Sequence, residues 1–355
     1  MVQPALNISK KEIAVVILNW NGVHFLERFL PNVIENSPEA EIIVIDNASE
    51  DQSVSFLQAN FPEVKCVLLD KNYGFAEGYN RGLKEIDFPF FVLLNSDIET
   101  PKGWLTPLLQ YLKSKSHLAA CAPLILDIQK KDYFEYAGAA GGYLDQDAYP
   151  FCAGRIFYNF EKNVQQYSEN REVFWASGAA LMIKQEMWQE VNGFDPTFFA
   201  HMEEIDLCWR LKNRGFGIGV CGASSVYHVG GGTLDRQSAF KTYLNFRNSL
   251  FLIVKNHRRS PLIPFLFKRL ILDGIAGIRF LIEGNFKYTL AVLKAHFHFY
   301  AKANVYFKLR KQEKKAWTRP NLYGYFAGSI LVSFFIKHKK NFNELDQTLF
   351  FESEK

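Results

Sequence analysis

The 355-residue chain has only five cysteines, Cys66, Cys121, Cys152, Cys208 and Cys221, and none belongs to a CxxC pair. An odd number without that spacing speaks against a zinc ribbon and a disulfide framework, and makes a reducing compartment the default. The glycine fingerprint GxGxxG is missing, which disfavours a nicotinamide dehydrogenase. No stretch reaches the roughly 18–20 uninterrupted apolar residues of a membrane-spanning helix. The nearest, "PLIPFLFKRLILDGIAGIRFLIEG", is broken by Lys268, Arg269, Asp273 and Arg279. "MVQPALNISKKEIAVVILNWNG" has no basic start ahead of a long apolar stretch, so no signal peptide is expected and the expected location is cytoplasmic. The formal net charge of only +4 argues against nucleic acid as the main partner. Internal repeats and low-complexity linkers are also absent.

What is present is apolar and periodic. "EIAVVILNW" and "EIIVIDNAS" are short apolar runs suited to strands buried in the sheet, and "VKCVLLD" and "FPFFVLLNSDIE" read as the third and fourth strands. "GVHFLERFLPNVIEN", "DQSVSFLQANF" and "GFAEGYNRGLKEI" fall between them and read as helices. The alternation predicts βαβ units, hence an α/β fold with a mostly parallel central sheet flanked by helices. Ligands of such sheets bind beyond the carboxyl ends of the strands. Three of these ends are polar, namely Asn19, Asp46 with Asn47, and Asn95-Ser96-Asp97, and they are expected to share one rim. From about Gln129 to Asn170 the pattern dissolves into Tyr, Gly, Asp and Asn, an insertion expected around a pocket. A strand, a small-residue turn and a short helix follow in "VFWASGAALMIKQEMWQEVNGFD", then a helix over 204–214 and a strand in "IGVCGASSVYHVGGG". A composition shift near Thr233–Lys241 separates a catalytic unit, 1–235, from a helical, basic and aromatic region, 236–355.

Asp97 sits where a phosphate-bound Mg²⁺ or Mn²⁺ could lie, since these ions favour one or two carboxylates plus substrate phosphates; a turn or helix cap explains it equally. Asp46 could accept a hydrogen bond from a pyrimidine imide N–H, or form an Asx turn or helix cap. Asn19 and Asn47 share that ambiguity. Gly74, Gly78 and Gly82 make a small-residue stripe for close packing or ligand approach. His228 precedes three glycines, and imidazole suits Mn²⁺ acceptably.

The stretch "FFAHMEEIDLCWRLKNRGF" packs Glu203, Glu204 and Asp206 into four residues. Asp206 and Arg210 are spaced for an ordinary helical ion pair. Carboxylates at a helix start are also favoured by its dipole. Glu204 is left over. In a cleft it could act as general base, with its pKa raised by its neighbours.

These motifs in this order resemble inverting glycosyltransferases of family 2 with the GT-A fold, nearest the bacterial rhamnosyltransferase-like and galactofuranosyltransferase-like enzymes of surface-polysaccharide assembly. The match spans roughly residues 11–235, through "VVILNWNG", "IIVIDNASED", "NYGFAEGYNRG", "LLNSDIE", "ASGAALMIKQEMWQEVNGFDPTFFAHMEEIDLCWRLKNRGF" and "YHVGGGT". The resemblance implies that Asn19, Asp46 and Asn47 hold the base and ribose of a dTDP- or UDP-sugar, with Asn80 near the nucleotide or sugar. It implies that Asn95-Ser96-Asp97 stands for the DxD motif, with Asp97 and His228 on the metal. It makes Glu204 the general base beside Glu203, and lines the cleft with Trp175 to Gly178 and Asp195. Two positions depart from the pattern: Asn95 replaces the first DxD carboxylate, and the base is Glu rather than Asp.

The C-terminal region mixes cations with Phe, Tyr, Leu and Ile, as in "FKYTLAVLKAHFHFYAKANVYFKLRKQEKK". Such a section suits peripheral contact with the cytoplasmic face of a membrane, where a lipid-linked acceptor would be met; packing on the catalytic unit is the plainer alternative. The competing reading of the whole chain is a catalytically silent nucleotide-binding protein at the membrane surface.

Overall fold

The computed structural model describes residues 11–230 and 238–351. The expected boundary at 235/236 and Gly231, Gly232 and Thr233 of the glycine run lie outside the described residues.

The first half alternates as its pattern predicts: β1 (Ile13–Asn19), α1 (Val23–Glu35), β2 (Ala40–Asp46), α2 (Ser53–Asn60), β3 (Lys65–Leu68), α3 (Gly74–Gly82) and β4 (Phe90–Leu94). β1 pairs in parallel with β2 and β4, and β2 with β3. Asn19 stands opposite Asp46 and Ile17 opposite Leu94, so the three polar strand ends share one rim. α3 lies close on this sheet. A Cβ at Gly82 would come within 2.2 Å of Ile45, so the glycine stripe serves packing there.

Next come β5 (Ile98–Glu99), α4 (Leu105–Ser114) and β6 (Leu118–Asp127). The insertion contributes β7 (Gly142–Asp145), β8 (Pro150–Cys152), β9 (Arg155–Ile156) and β10 (Asn159–Phe160). β11 (Arg171–Val173), β12 (Ala180–Lys184), α5 (Gln185–Glu190), α6 (Glu203–Asn213) and β13 (Gly217–His228) return the chain to the main sheet. The strand order is β11-β13-β6-β12-β4-β1-β2-β3, with β5 paired to β13. β12 runs antiparallel to both β4 and β6, and β13 parallel to β6. The sheet is therefore mixed beyond β4. Parallel neighbours need a crossover, usually a helix, and the chain reaches β12 from β11 through coil.

The C-terminal part consists of α7 (Ala239–Asn256), α8 (Leu262–Ile282), α9 (Phe286–Glu313) and the short β14 (Tyr325–Phe326). β14 joins the insertion's sheet beside β7, in the order β10-β9-β8-β7-β14. Asp145 of β7 accepts a hydrogen bond from the backbone N–H of Ile330 at 2.8 Å. One continuous apolar core runs from Val16 and Ile45 through Trp175 to Phe251, Phe299, Tyr306 and Phe326. The two expected units thus share a core. Phe251 stacks on Tyr306 with ring centroids 3.5 Å apart, fixing α7 against α9.

Candidate active site

The shared rim opens into a cavity of about 1100 Å³ bounded by the insertion, the segment before α6 and the start of α7. That is somewhat more than a typical small-ligand site holds.

At the end of β4, Asn95, Ser96 and Asp97 all line the cavity. The last residue of β13, His228, reaches the same place, and its Nε2 lies 3.2 Å from Asp97 Oδ1. Its Nδ1 lies 2.9 Å from Glu135 Oε2, in the insertion. Glu135 also accepts from the backbone N–H of Ala137 at 2.6 Å. Burial alone would lower the His228 pKa; its hydrogen bonds to Asp97 and Glu135 outweigh this and raise it to about 10. A carboxylate behind a ligating imidazole is the usual device for fixing its tautomer and orientation.

Once His228 gives up the proton it shares with Asp97, this pair could hold a divalent cation. Neighbouring ligands of an octahedral ion bound at about 2.1 Å lie roughly 3 Å apart, close to the 3.2 Å between Asp97 and His228. Among the described residues no group of three or more His, Cys, Asp or Glu side chains is arranged to hold an ion. Two protein ligands suit Mg²⁺ or Mn²⁺, which take their remaining oxygens from water and substrate phosphate.

The start of α6 lines the same cavity. The preceding segment is bent by left-handed residues Phe199, His201 and Met202, with φ of +65°, +67° and +74°. Non-glycine residues hold such angles only where their surroundings enforce them. Here Asn248 of α7 supplies the restraint: its side-chain amide donates toward the carbonyls of Phe198, Ala200 and His201 at 3.1, 2.9 and 2.7 Å. Arg247 donates to Phe198 O at 2.9 Å. Gly74, at φ +76°, lets α3 begin against this segment, since a Cβ would meet the Phe199 ring at 2.9 Å.

The bend delivers Glu203 and Glu204 to the cavity wall. Each has a buried Oε2 without a hydrogen-bond partner among the described residues. Burial pushes the Glu204 carboxyl up to about 6, against the lowering effect of the backbone hydrogen bonds at the helix start. Burial and the adjacent Glu204 push Glu203 well above the usual carboxylate range. Gly178 leaves the space beside Glu204 open; a Cβ there would lie 3.4 Å from Glu204 Cβ.

Asp206 has a different task. It is fully buried and accepts from Arg210 Nε at 2.7 Å, Lys255 Nζ at 3.0 Å and Asn256 Nδ2 at 2.7 Å. Three acids in four residues therefore divide into an ion-pair anchor and two cavity carboxylates.

Several expected site residues make hydrogen bonds within the frame. Asp46 does not line the cavity. Its oxygens accept from Asn19 Nδ2 at 3.0 Å and from Ser49 N and Oγ at 2.9 and 2.6 Å. These bonds brace the turn after β2. Asn19 is likewise held behind the rim by Asp46 and Ser49. Asn80 is tied to both backbone groups of Phe194, at 2.8 and 2.9 Å, and is not part of the lining. Asp195 is paired with Lys255 at 2.6 Å and is absent from the cavity wall. Asn47 does line it, while bonding Tyr73 N, Asn72 and Gly74 O. Trp175 presents its ring to the cavity and donates its indole N–H to Tyr143 O at 3.0 Å.

The structure adds residues that sequence reasoning missed. Glu135 lies in the patternless insertion. Trp20, 45% exposed at the rim after β1, is an aromatic surface where a base could stack; the quoted motif "LNWNG" contained that signal. His201 lines the cavity with its Nε2 unpartnered among the described residues, and burial, then the charge of Lys241, press it down to about 4.

The profile of glycosyl transferase family 2 matches residues 14–198, just over half the chain. The chain belongs to glycosyl transferase family 2, and it is a glycosyltransferase. It is 21% identical over 294 residues to the low-salt glycan biosynthesis hexosyltransferase Agl10 of Haloferax volcanii, covering 81% of this chain and 90% of that one. It is 21% identical over 268 residues to the N-acetylglucosaminyl-diphospho-decaprenol L-rhamnosyltransferase of Mycobacterium tuberculosis, covering 70% of this chain and 87% of that one. The fold is similar to that of the mannosyltransferase PcManGT from Pyrobaculum calidifontis, solved with GDP-Man and Mn²⁺. That likeness has a TM-score of 0.51 at 14% identity and covers 86% of this chain and 85% of that one. The architecture is thus of the expected GT-A type.

Proposed function

We propose that the chain transfers a rhamnose-like or galactofuranose-like sugar from a dTDP- or UDP-sugar to a glycan or lipid-linked acceptor in surface-polysaccharide synthesis, with inversion and with Mg²⁺ or Mn²⁺. The carrying observation is that one cavity is lined both by the Asp97–His228 pair and by Glu204, whose buried Oε2 has no hydrogen-bond partner among the described residues. Asp97 and His228 would hold the cation, which when bound offsets charge on the departing diphosphate. Asn47, Asn95, Ser96 and Trp20 would position the nucleotide. Glu204 accepts the proton of the acceptor hydroxyl. The freed oxygen attacks the anomeric carbon from the face opposite the diphosphate, the carbon–phosphate-oxygen bond breaks, and the nucleoside diphosphate leaves. The longer reach of Glu compared with Asp is accommodated beside Gly178, where no side chain fills the wall.

The similarity to a relative named for a decaprenol-linked acceptor supports a lipid-linked acceptor here. In this reading the protein works peripherally at the cytoplasmic face of the membrane, with a basic, aromatic C-terminal region suited to that place. The test is incubation with dTDP-rhamnose and with UDP-galactofuranose, Mn²⁺ and a lipid-linked acceptor, followed by NMR of the product's anomeric configuration. Acceptor-dependent release of nucleoside diphosphate with an inverted anomer is expected. Nucleotide binding without turnover on either donor, or a retained anomer, overturns the proposal.

A further inference from the structure

α8 and α9 form a helical hairpin whose inner faces are buried, through Leu262, Phe265 and Leu266 on one helix and Ala291, Val292, Ala295 and Phe299 on the other. A hairpin bounded by water would be polar on its outer faces. These are not. Along α8, Ile263, Phe267, Ile271, Ile275, Ile278 and Ile282 recur every three or four residues and are 49% to 81% exposed. Along α9, Phe286, Leu290, Leu293, Phe297 and Tyr300 do the same, at 49% to 71%. The stripes meet at the hairpin tip, where Ile282 and Phe286 flank a turn through Gly284 at φ +75°.

A contiguous apolar surface of this kind marks an interaction site. Charge identifies the occupant. Lys287, Lys294, Lys302 and Lys308 are exposed along α9, and that helix carries no carboxylate before Glu313. The two acids before α9 are already paired: Asp273 of α8 is buried with Arg269, and Glu283, just past α8, pairs with Arg279. Two copies of this face would bring lysines against lysines. An anionic lipid surface meets both the apolar stripe and its cationic border. No helix among the described residues is long and apolar enough to cross a membrane. Position supports the same occupant, because Arg269 and Phe280 of α8 also line the catalytic cavity. The helix with the exposed stripe is a wall of the active site.

We infer that the outer face of the α8–α9 hairpin, led by its Ile282–Phe286 tip, docks on an anionic lipid bilayer and places the mouth of the cavity at that surface. This deepens the proposed reading, resting on it only for the acceptor that arrives there. Docking itself requires neither donor nor turnover.

The test is flotation of the full chain with vesicles of phosphatidylcholine alone and of phosphatidylcholine mixed with phosphatidylglycerol. The protein is expected to float with the anionic vesicles and to stay largely behind with the neutral ones. Ile282→Glu with Phe286→Glu is expected to lower the bound fraction at least about tenfold, since it removes two apolar anchors and adds two like charges. Lys287→Gln with Lys294→Gln is expected to weaken anionic binding by about 30-fold. Both variants should keep the wild-type melting temperature and nucleotide binding. Failure of the wild type to float overturns the inference, as does flotation of the tip variant like wild type. Light scattering that shows a dimer abolished by the tip substitutions also overturns it and assigns the face to a second copy. Flotation without any sugar transfer leaves docking intact and removes the proposed activity instead.

Discussion

Replacing Glu204 by Gln tests the chemistry and its structural cost together. The substitution keeps the side chain's size and removes its ability to take a proton. A group titrating at about 6 is about nine-tenths ionised at pH 7, so the wild-type base is ready at neutral pH. General base catalysis contributes about 10²–10⁴-fold, and kcat should fall by that factor while nucleotide affinity stays within a few-fold. Wild-type kcat should rise with pH through about 6 or slightly above, because a bound anionic donor further disfavours the carboxylate. The same shift predicts a stability effect. A carboxyl raised from 4.5 to about 6 in the folded state costs about 2 kcal/mol once ionised. For a folded-state pKa above the unfolded value, this penalty is absent below pH 4.5, grows between 4.5 and about 6, and is constant above. Glu204→Gln should therefore be more stable than wild type by up to about 2 kcal/mol at pH 7 and equal to it near pH 4. The assays are steady-state transfer across pH 5–8 and urea melts at pH 4 and 7. Full transfer activity in Glu204→Gln, or a wild-type rate independent of pH across that range, would refute the reasoning.

Asp206→Asn removes the acid shared by Arg210 and Lys255, both buried, and should destabilise the fold by about 3–5 kcal/mol in chemical denaturation. Glu135→Gln should weaken Mn²⁺ affinity by about 10–100-fold in an EPR titration, because the imidazole of His228 loses the carboxylate that orients it. Asn248→Ala releases three carbonyls of the bent segment before α6; kcat should drop more than tenfold with nucleotide binding preserved, and proteolysis between residues 198 and 202 should accelerate.

The strands on which the site rests were legible because their sequences are short, apolar and buried on both faces, a pattern that leaves little choice of conformation. The division of labour in α6 was also legible in part, since Asp206 and Arg210 sit one helical turn apart. The turn bonds of Asp46 were legible, its partner Ser49 being three residues away. Asn80 and Asp195 were harder, because their partners lie 114 and 60 positions distant in Phe194 and Lys255. Glu135 had no local signal. It sits in an insertion without periodicity and acquires its role from His228, 93 residues further on. The mixed character of the sheet depended on how the chain enters β12, which coil does not encode in its composition.

The proposed reaction needs a cation-anchored nucleoside diphosphate beside Asp97, in the cavity that Glu204 also lines. Calorimetric titration of UDP and dTDP with and without Mn²⁺, into wild type, Asp97→Ala and Glu204→Gln, measures this most directly. At least one nucleotide should bind wild type and Glu204→Gln alike in the presence of Mn²⁺, and bind Asp97→Ala at least about tenfold more weakly. Binding to Asp97→Ala as tight as to wild type, or no binding of either nucleotide to any variant, would contradict it.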